Sequence, residues 1–277
     1  MRTAKLLSIF LGLALLTLAE LVFAQAATVY ELIGSAKAIP NAGAPRDLRK
    51  GDTVNQGDTI VTDKETSLVL GFQDGHTVIM PGESRLAITA YQYNRDDPSK
   101  SNVLLSLLDG GMRAISGLIG KARPQQVSYR AGNATIGIRG TIVNTAIRNK
   151  VTTATVEIEK GPDGKSVATS IVVSFGDNRT VTVPAGAGFF VDSAGQVQVR
   201  PADEVIKSLG ETPLAYIIRA VLNTAAKSEI QRALTQAFKD SGATGVKPPS
   251  TTTTPSSTGN SGSSGASGSG GGSASGR

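Results

Sequence analysis

The side chains that most often carry out chemistry in proteins are scarce in this sequence. It has no cysteine and a single histidine, His76, which excludes thiol catalysis, disulfides, thiolate metal sites and paired-histidine metal sites within one chain. His76 directly follows the turn signal Asp74-Gly75, and a lone histidine at such a hairpin is predicted to lie at the surface. The residue types therefore predict a protein that is not an enzyme.

Two further patterns resemble ligand sites but lack the full spacing. Asp96-Asp97 has no spaced D-x-D-x-D loop around it, so a solvated turn is favoured over calcium binding. Residues 117–121 end in Gly-Lys without the complete phosphate-loop pattern. We expect no metal and no cofactor. An enzyme that cleaves wall polysaccharide with paired carboxylates remains an alternative.

The elements that would position these residues are short strands. Leu68, Leu70 and Phe72 alternate with other residues before the Asp74-Gly75 turn, and Val78 and Met80 continue the alternation after it. The same period of two recurs in residues 154–158, 171–175, 181–183 and 197–199, with glycine, aspartate and proline between the runs. This pattern predicts a mainly β fold, as a sandwich, barrel or solenoid, with further β-hairpins.

The N-terminus has the pattern of a secretory leader. Arg2 and Lys5 precede an apolar run over residues 6–19, and Ala24-Gln25-Ala26 is a small-x-small cleavage site. We expect a signal peptide over residues 1–26, cleavage near Ala26, and a periplasmic or secreted product without a stable membrane span. The net charge of +6 comes from scattered basic residues, so nucleic acid is not an expected partner.

The C-terminal third changes character. Residues 201–242 show helical spacing, first over Ala202 to Leu209 and then in an amphipathic stretch after Pro213. Its apolar stripe is expected to pack on the β body, with protein docking or membrane-surface binding as alternatives. Residues 243–277 are rich in serine, glycine, threonine and proline, a composition that predicts disorder.

Two segments resemble a known family. The first is residues 48–62, Leu-Arg-Lys-Gly-Asp-Thr-Val-Asn-Gln-Gly-Asp-Thr-Ile-Val-Thr, followed by Ser67–Leu70 and Phe72–Gly75. The second combines Leu107–Arg113 with Ala134–Thr141. Together they resemble the FecR-type domain, the extracytoplasmic domain of regulators that sense ferric-siderophore uptake. The resemblance implies a twisted, solenoid-like or sandwich-like β-domain, which we place at residues 27–147, with additional strands over 148–200. The family-motif residues are Gly51, Gly57, Asp58, Thr62, Gly75, Gly110, Arg113, Gly137, Arg139, Gly140 and Thr141.

The motif residues also have a structural interpretation. Gly137 and Gly140 bracket Arg139, a pattern suited to close backbone approach around an inward arginine. A buried arginine needs acceptors, and Asp52, Asp58 and Asp74 are the candidate partners. Thr141 is expected to hydrogen-bond the same turn.

The resemblance implies a binding function. Better-studied relatives span the membrane, control a sigma factor through a cytoplasmic segment, and contact an outer-membrane transporter. This sequence shows no such segment before its apolar run, so we do not expect the sigma-factor role to transfer. The sequence favours an exported envelope protein that binds another protein or a cell-wall or extracellular polymer. The alternative is an extracytoplasmic sensor or regulator in iron- or envelope-related signalling.

Overall fold

A computed structural model describes residues 25–160, 165–176, 179–191 and 195–209. The leader, the amphipathic stretch after Pro213 and the C-terminal tail lie outside the described residues. The strands are β1 (Gln25–Ile33), β2 (Ala36–Ile39), β3 (Arg46–Asp47), β4 (Thr53–Asn55), β5 (Thr59–Thr62), β6 (Ser67–Phe72), β7 (Thr77–Pro81), β8 (Ser84–Gln92), β9 (Asn102–Ile115), β10 (Val127–Ala131), β11 (Ala134–Ile138), β12 (Ile142–Arg148), β13 (Val151–Val156), β14 (Glu159–Lys160), β15 (Ser166–Val167), β16 (Ser170–Phe175), β17 (Thr180–Pro184), β18 (Ala187–Val191) and β19 (Val197–Pro201). The helices are α1 (Leu118–Ala122) and α2 (Ala202–Ser208), with 3₁₀ turns at Pro98–Lys100 and Pro124–Gln126.

Most of these strands form one hydrogen-bonded sheet that folds into two layers. Layer I has the order β19-β18-β13-β12-β9-β7-β6-β1-β4. Layer II has the order β3-β2-β5-β8-β9-β10-β11-β16-β17. Among the described residues, the pairings in both layers are antiparallel except that of β9 with β10. The mainly β, sandwich-like fold predicted from sequence is confirmed.

Strand β9 belongs to both layers. Its first half, up to Asp109, pairs with β8 in layer II, and its second half, from Gly110, pairs with β12 in layer I. Gly110 has φ +76°, and a Cβ atom there would overlap the main chain of Glu83 and Ser84. Glycine therefore allows the chain to bend between layers while passing directly against a neighbouring turn.

The core lies between the two layers and follows the alternation in the sequence. Successive strands of layer II turn every second side chain inward: Val127, Tyr129, Ala131; Ala134, Ile136, Ile138; Ile171, Val173, Phe175. Layer I contributes residues such as Leu68, Leu70, Met112 and Phe189 to the same cluster. Burial of this apolar surface is the main force that holds the layers together.

Helix α2 packs on the outer face of layer I. Its Val205 is buried beside Gly188, while Ile206 and the following Leu209 pack against Ala146. The short helix predicted over Ala202 to Leu209 is confirmed. In the described part of the chain, no helix has both the length and the apolarity needed to span a membrane.

Candidate functional site

The Asp74-Gly75 turn is the centre of a buried polar cluster. Asp74 Oδ1 accepts hydrogen bonds from the His76 backbone N–H at 3.1 Å and from the Tyr91 hydroxyl at 3.2 Å. Its Oδ2 accepts from the Ile119 N–H at 3.3 Å, at the start of α1. Gly117 lies so close to Asp74 that a Cβ atom there would overlap the carboxylate. The turn therefore ties layer I, strand β8 and α1 together.

His76 is fully buried within this cluster, so the surface position predicted from sequence is wrong. Its Nε2 lies 3.0 Å from the Tyr129 hydroxyl, and its ring contacts Phe72 and Tyr129 edge-on. Burial lowers the pKa of His76, and this effect is larger than the opposite effect of the Asp74 charge. The imidazole is therefore neutral. The hairpin signal was correct, but tertiary packing folds the turn between the layers.

Burial also governs the two tyrosines of the cluster. It raises the pKa of both Tyr91 and Tyr129, and the nearby charge of Asp74 raises both further. Both hydroxyls therefore remain protonated, and that of Tyr91 donates to Asp74 Oδ1 while it accepts from the Asp74 N–H. Neither tyrosine was singled out in the sequence, because the partner histidine lies 53 positions from Tyr129 and is reached only through the pairing of the layers.

A second buried cluster forms around Arg113, a family-motif residue on β9. Arg113 Nε lies 2.9 Å from Glu157 Oε1, and Nη2 lies 2.8 Å from Oε2. Asn144, on the neighbouring β12, donates to Glu157 Oε1 at 2.9 Å. Burial raises the pKa of Glu157, but Arg113 and Asn144 outweigh this effect, so the pKa lies below its ordinary value. The Arg113 side chain is 2% exposed, so this pair joins β9 to the segment after β13 inside the fold.

Arg139 does not occupy the inward position predicted for it. Its side chain is exposed, and the buried arginine of the fold is Arg113. Gly137 lies in β11, where a Cβ would be 3.4 Å from the Val172 carbonyl oxygen, and Gly140 has φ +64°. In a strand, alternate residues point to opposite faces, and Ile138 takes the inward position instead.

The aspartates proposed as partners of a buried arginine have other contacts. Asp58 forms an ion pair with Arg46 at 2.9 Å and accepts from the Asn55 N–H at 3.0 Å. Asp52 accepts from the Arg49 N–H at 2.8 Å. Together with the hydrogen bonds of Asp74, these contacts show that all three aspartates stabilise turns or strand ends.

Thr141 also forms contacts different from those expected. Its backbone bonds to Ser116, which donates to the Thr141 carbonyl at 2.8 Å and accepts from the Thr141 N–H at 3.1 Å. Its hydroxyl lies 3.2 Å from that of Thr169. Thr141 therefore joins the end of β9 to the hairpin that follows β15, and does not close its own turn.

Ser84 links the motif residue Thr62 to the second motif segment at Gly111. Thr62 Oγ1 accepts from the Ser84 N–H at 3.0 Å and donates to the Pro81 carbonyl at 2.6 Å. The Ser84 hydroxyl accepts from the Gly111 N–H at 3.0 Å, directly after the bend at Gly110. Gly51, Gly57 and Gly75 adopt positive φ angles of 90°, 90° and 79° at turns. These motif residues build the framework, and Ser84 was not identifiable because serine is common in loops.

The surface beside α2 has two adjoining depressions. One, of about 280 Å³, is lined by residues that include Pro81, Glu83, Asp109, Ala146 and Ile147. The other, of about 420 Å³, includes Val151, Thr153 and Phe190, and the two share Arg148 and Leu209. Among the residues that the structure covers, no group of three or more histidine, aspartate or glutamate side chains is placed to hold a metal ion.

Comparison with known proteins agrees with the motif. Residues 58–162 match the family described as FecR protein, a span that includes Asp58, Thr62, Gly110, Arg113 and Glu157. The chain is therefore similar to the FecR family over these residues. No curated protein matches the chain.

Two crystal structures of a candidate anti-sigma factor from Parabacteroides distasonis are similar to part of this chain. One has 11% sequence identity and a TM-score of 0.39, covering 52% of this chain and 59% of that one. The other has 12% identity and a TM-score of 0.39, covering 55% and 65%. The present chain thus spans less than two thirds of the length of either.

Proposed function

We propose that this protein is a non-enzymatic extracytoplasmic signalling module, exported by its N-terminal leader, which binds a partner protein of the cell envelope. The observation that carries the proposal is the FecR match over residues 58–162. Domains of this family belong to regulators that act through protein contacts, as the sequence resemblance implies. Protein is therefore the favoured partner over an envelope polymer.

The position of the motif residues supports a binding role without catalysis. Asp74, His76 and Arg113 are buried, and each has a polar partner inside the protein: the His76 N–H for Asp74, the Tyr129 hydroxyl for His76 and the Glu157 carboxylate for Arg113. A rigid interior of this kind can present strand edges and turns in fixed positions to a partner. Binding through such a surface needs no cofactor.

A change in gene expression is the direct test of a signalling role. Deletion of the gene should alter the transcription of a confined set of genes, and the wild-type protein should restore it. In parallel, the full tagged chain should capture a sensor or transporter from an envelope extract. An unchanged transcriptome, together with retention on purified envelope polysaccharide and on no protein, would favour the polymer-binding alternative and contradict the proposal.

One observation bears on the enzyme alternative. Glu83 and Asp109 both line the depression beside α2, and a pair of carboxylates is what hydrolysis of a polysaccharide requires. Asp109 Oδ1, however, accepts from the Gly110 N–H at 2.9 Å and so caps the bend of β9. Incubation of the full chain with cell-wall polysaccharide should release no soluble fragments. Release that disappears in both Glu83→Gln and Asp109→Asn would show the enzyme function instead.

A further inference from the structure

Strand β19 forms one edge of layer I. In the described part of the chain it pairs with β18 on one side and with no strand on the other. Four of its five residues, Gln198 to Pro201, are exposed. An edge strand of this kind presents main-chain donors and acceptors to the solvent.

The register shows which of these groups point outward. The Ala202 N–H donates to the Gly186 carbonyl at 2.9 Å, which makes this a hydrogen-bonded position of the β18–β19 ladder. Hydrogen-bonded and non-hydrogen-bonded pairs alternate along an antiparallel ladder, so Arg200 and Gln198 bond to β18. Val197 and Val199 therefore direct both N–H and C=O away from β18, towards the open edge.

The side chains at the same two positions face the core side of the layer. Val197 packs against the core cluster. Val199 lies opposite Phe189, which is fully buried, yet Val199 itself is 42% exposed. Among the described residues, the apolar inner surface thus continues to the edge, where Val199 remains partly exposed.

The opposite side of the sandwich is closed by a side chain. Arg46, on the edge strand β3 of layer II, donates to the Thr53 carbonyl at 2.9 Å on β4, the edge strand of layer I. The same guanidinium pairs with Asp58. On the side of β19, Arg179 donates to the Gly195 carbonyl at 2.6 Å, which links the turns at the ends of the hairpins. No strand of the described residues pairs with the outer edge of β19.

Strand β17, the neighbouring edge strand in layer II, is less suited than β19 to pairing with an added strand. The Ala185 N–H donates to the Thr169 carbonyl at 2.9 Å, so by the same alternation Thr180 and Thr182 direct their main-chain groups outward. The inward Val183, however, is already fully buried. A strand added to β17 would gain hydrogen bonds but would cover less apolar surface.

We propose that β19 is a strand-acceptor edge, on which an extended segment of the partner protein adds to layer I. The incoming strand hydrogen-bonds Val197 and Val199 and places apolar side chains at alternate positions, one of which covers Val199. Arg200 and Gln198, on the outer face, contribute polar contacts. This inference rests on the proposed function in one respect, namely that the partner is a protein.

A proline substitution tests the role of the backbone N–H of Val199, which points towards the open edge. In Val199→Pro the N–H that faces the open edge is removed, while the ladder bonds of Gln198 and Arg200 to β18 remain; proline is tolerated at such an edge position. Thr182→Pro removes the equivalent outward donor from β17 and serves as the matched control. Equal thermal midpoints for the two variants and the wild type will show that the fold is retained.

The probe is a displayed library of 12-residue peptides selected on the full wild-type chain. Selected peptides should carry apolar residues at alternate positions, bind Val199→Pro about tenfold more weakly or worse, and bind Thr182→Pro as the wild type. Amide exchange at Val197 and Val199 should slow when such a peptide binds. Peptides without alternation, or with equal affinity for Val199→Pro, would overturn the proposal.

Two further outcomes separate this inference from the proposed function. If an envelope partner is captured equally well by Val199→Pro and by the wild type, the edge assignment is wrong and the signalling function stands. If the wild-type chain forms dimers that Val199→Pro dissociates, the edge binds a second copy of this chain, which also overturns the assignment of a partner segment.

Discussion

Arg113 and Glu157 form a bidentate ion pair across 44 positions of sequence, with nitrogen–oxygen distances of 2.9 and 2.8 Å. The two ends of this pair differ in environment: the arginine side chain is 2% exposed and the glutamate side chain is 31% exposed. Removal of the Glu157 carboxylate leaves the positive charge of Arg113 unpaired inside the protein. Removal of the Arg113 guanidinium leaves the negative charge of Glu157 unpaired, but close to solvent. The pair is therefore expected to respond unequally to the two substitutions.

Glu157→Gln should lower the free energy of unfolding by about 2–4 kcal/mol, because it strands the Arg113 charge in the fold. Arg113→Met should cost less, about 1–3 kcal/mol, because Glu157 can still reach water. The double variant should be more stable than Glu157→Gln alone. Urea denaturation measures all three, and a cost for Arg113→Met that equals or exceeds that of Glu157→Gln would contradict the assignment.

Arg139 provides the contrast. Its exposed side chain predicts that Arg139→Gln changes the free energy of unfolding by less than about 0.5 kcal/mol. The same urea denaturation applies. A loss comparable with that of Arg113→Met would show that Arg139 carries the structural role that the motif suggested.

Gly110→Ala should destabilise the protein by about 2–4 kcal/mol, since alanine would be strained at φ +76° and its Cβ would overlap the Glu83 carbonyl. Gly137→Ala is the matched control within the motif, because a Cβ there meets Val172 O at an ordinary 3.4 Å. It should change stability by less than about 1 kcal/mol. Thermal unfolding distinguishes the two, and equal losses would mean that the bend in β9 is not the critical feature.

His76 should make the protein sensitive to mild acid. Its pKa is lowered in the folded state, so the unfolded chain binds a proton more readily below the ordinary value of 6.5. The contribution of the neutral His76 to the free energy of unfolding is thus fully present above pH 6.5. It is lost as the pH falls from 6.5 towards the pKa of the folded state, by up to about 1.4 kcal/mol per pH unit for one proton. Free energies of unfolding of the wild type and His76→Gln should converge as the pH falls from 7.5 to 5. Parallel curves would exclude His76 as the source.

The leader is expected to be removed after Ala24, two residues before the position that the small-x-small pattern favours. Ala26 and Ala27 are buried in β1, whereas Gln25 is exposed. Cleavage after Ala26 would place the new terminal ammonium on Ala27, where burial of an unpaired charge is unfavourable. The intact mass of the exported protein should correspond to a chain that starts at Gln25. A mass that starts at Ala27 would contradict this prediction, and an unprocessed chain would contradict cleavage of the leader.

Local patterns in the sequence predicted the strands well. The alternation of Leu68, Leu70 and Phe72 located β6, and the return at Val78 and Met80 located β7, because side chains in a strand alternate between two faces wherever the strand is placed. The helix after Pro201 was located by its own spacing. The FecR motif likewise depends on short runs of residues, and the resemblance is confirmed over residues 58–162.

Which strands become neighbours was not contained in these patterns. The alternation assigns a residue to a face, but the order of strands decides what that face meets, and here β9 crosses from one layer to the other at Gly110. That crossing sets Arg113 beside Asn144 and within reach of Glu157, and it encloses His76 against Tyr129. Arg139, which directly follows β11 and precedes Gly140, carried the same chemical signal as Arg113, yet its side chain is exposed. The charge, length and hydrogen-bonding capacity of each side chain are local properties, whereas burial and partners arise from contacts between segments far apart in sequence, and only the tertiary structure brings those together.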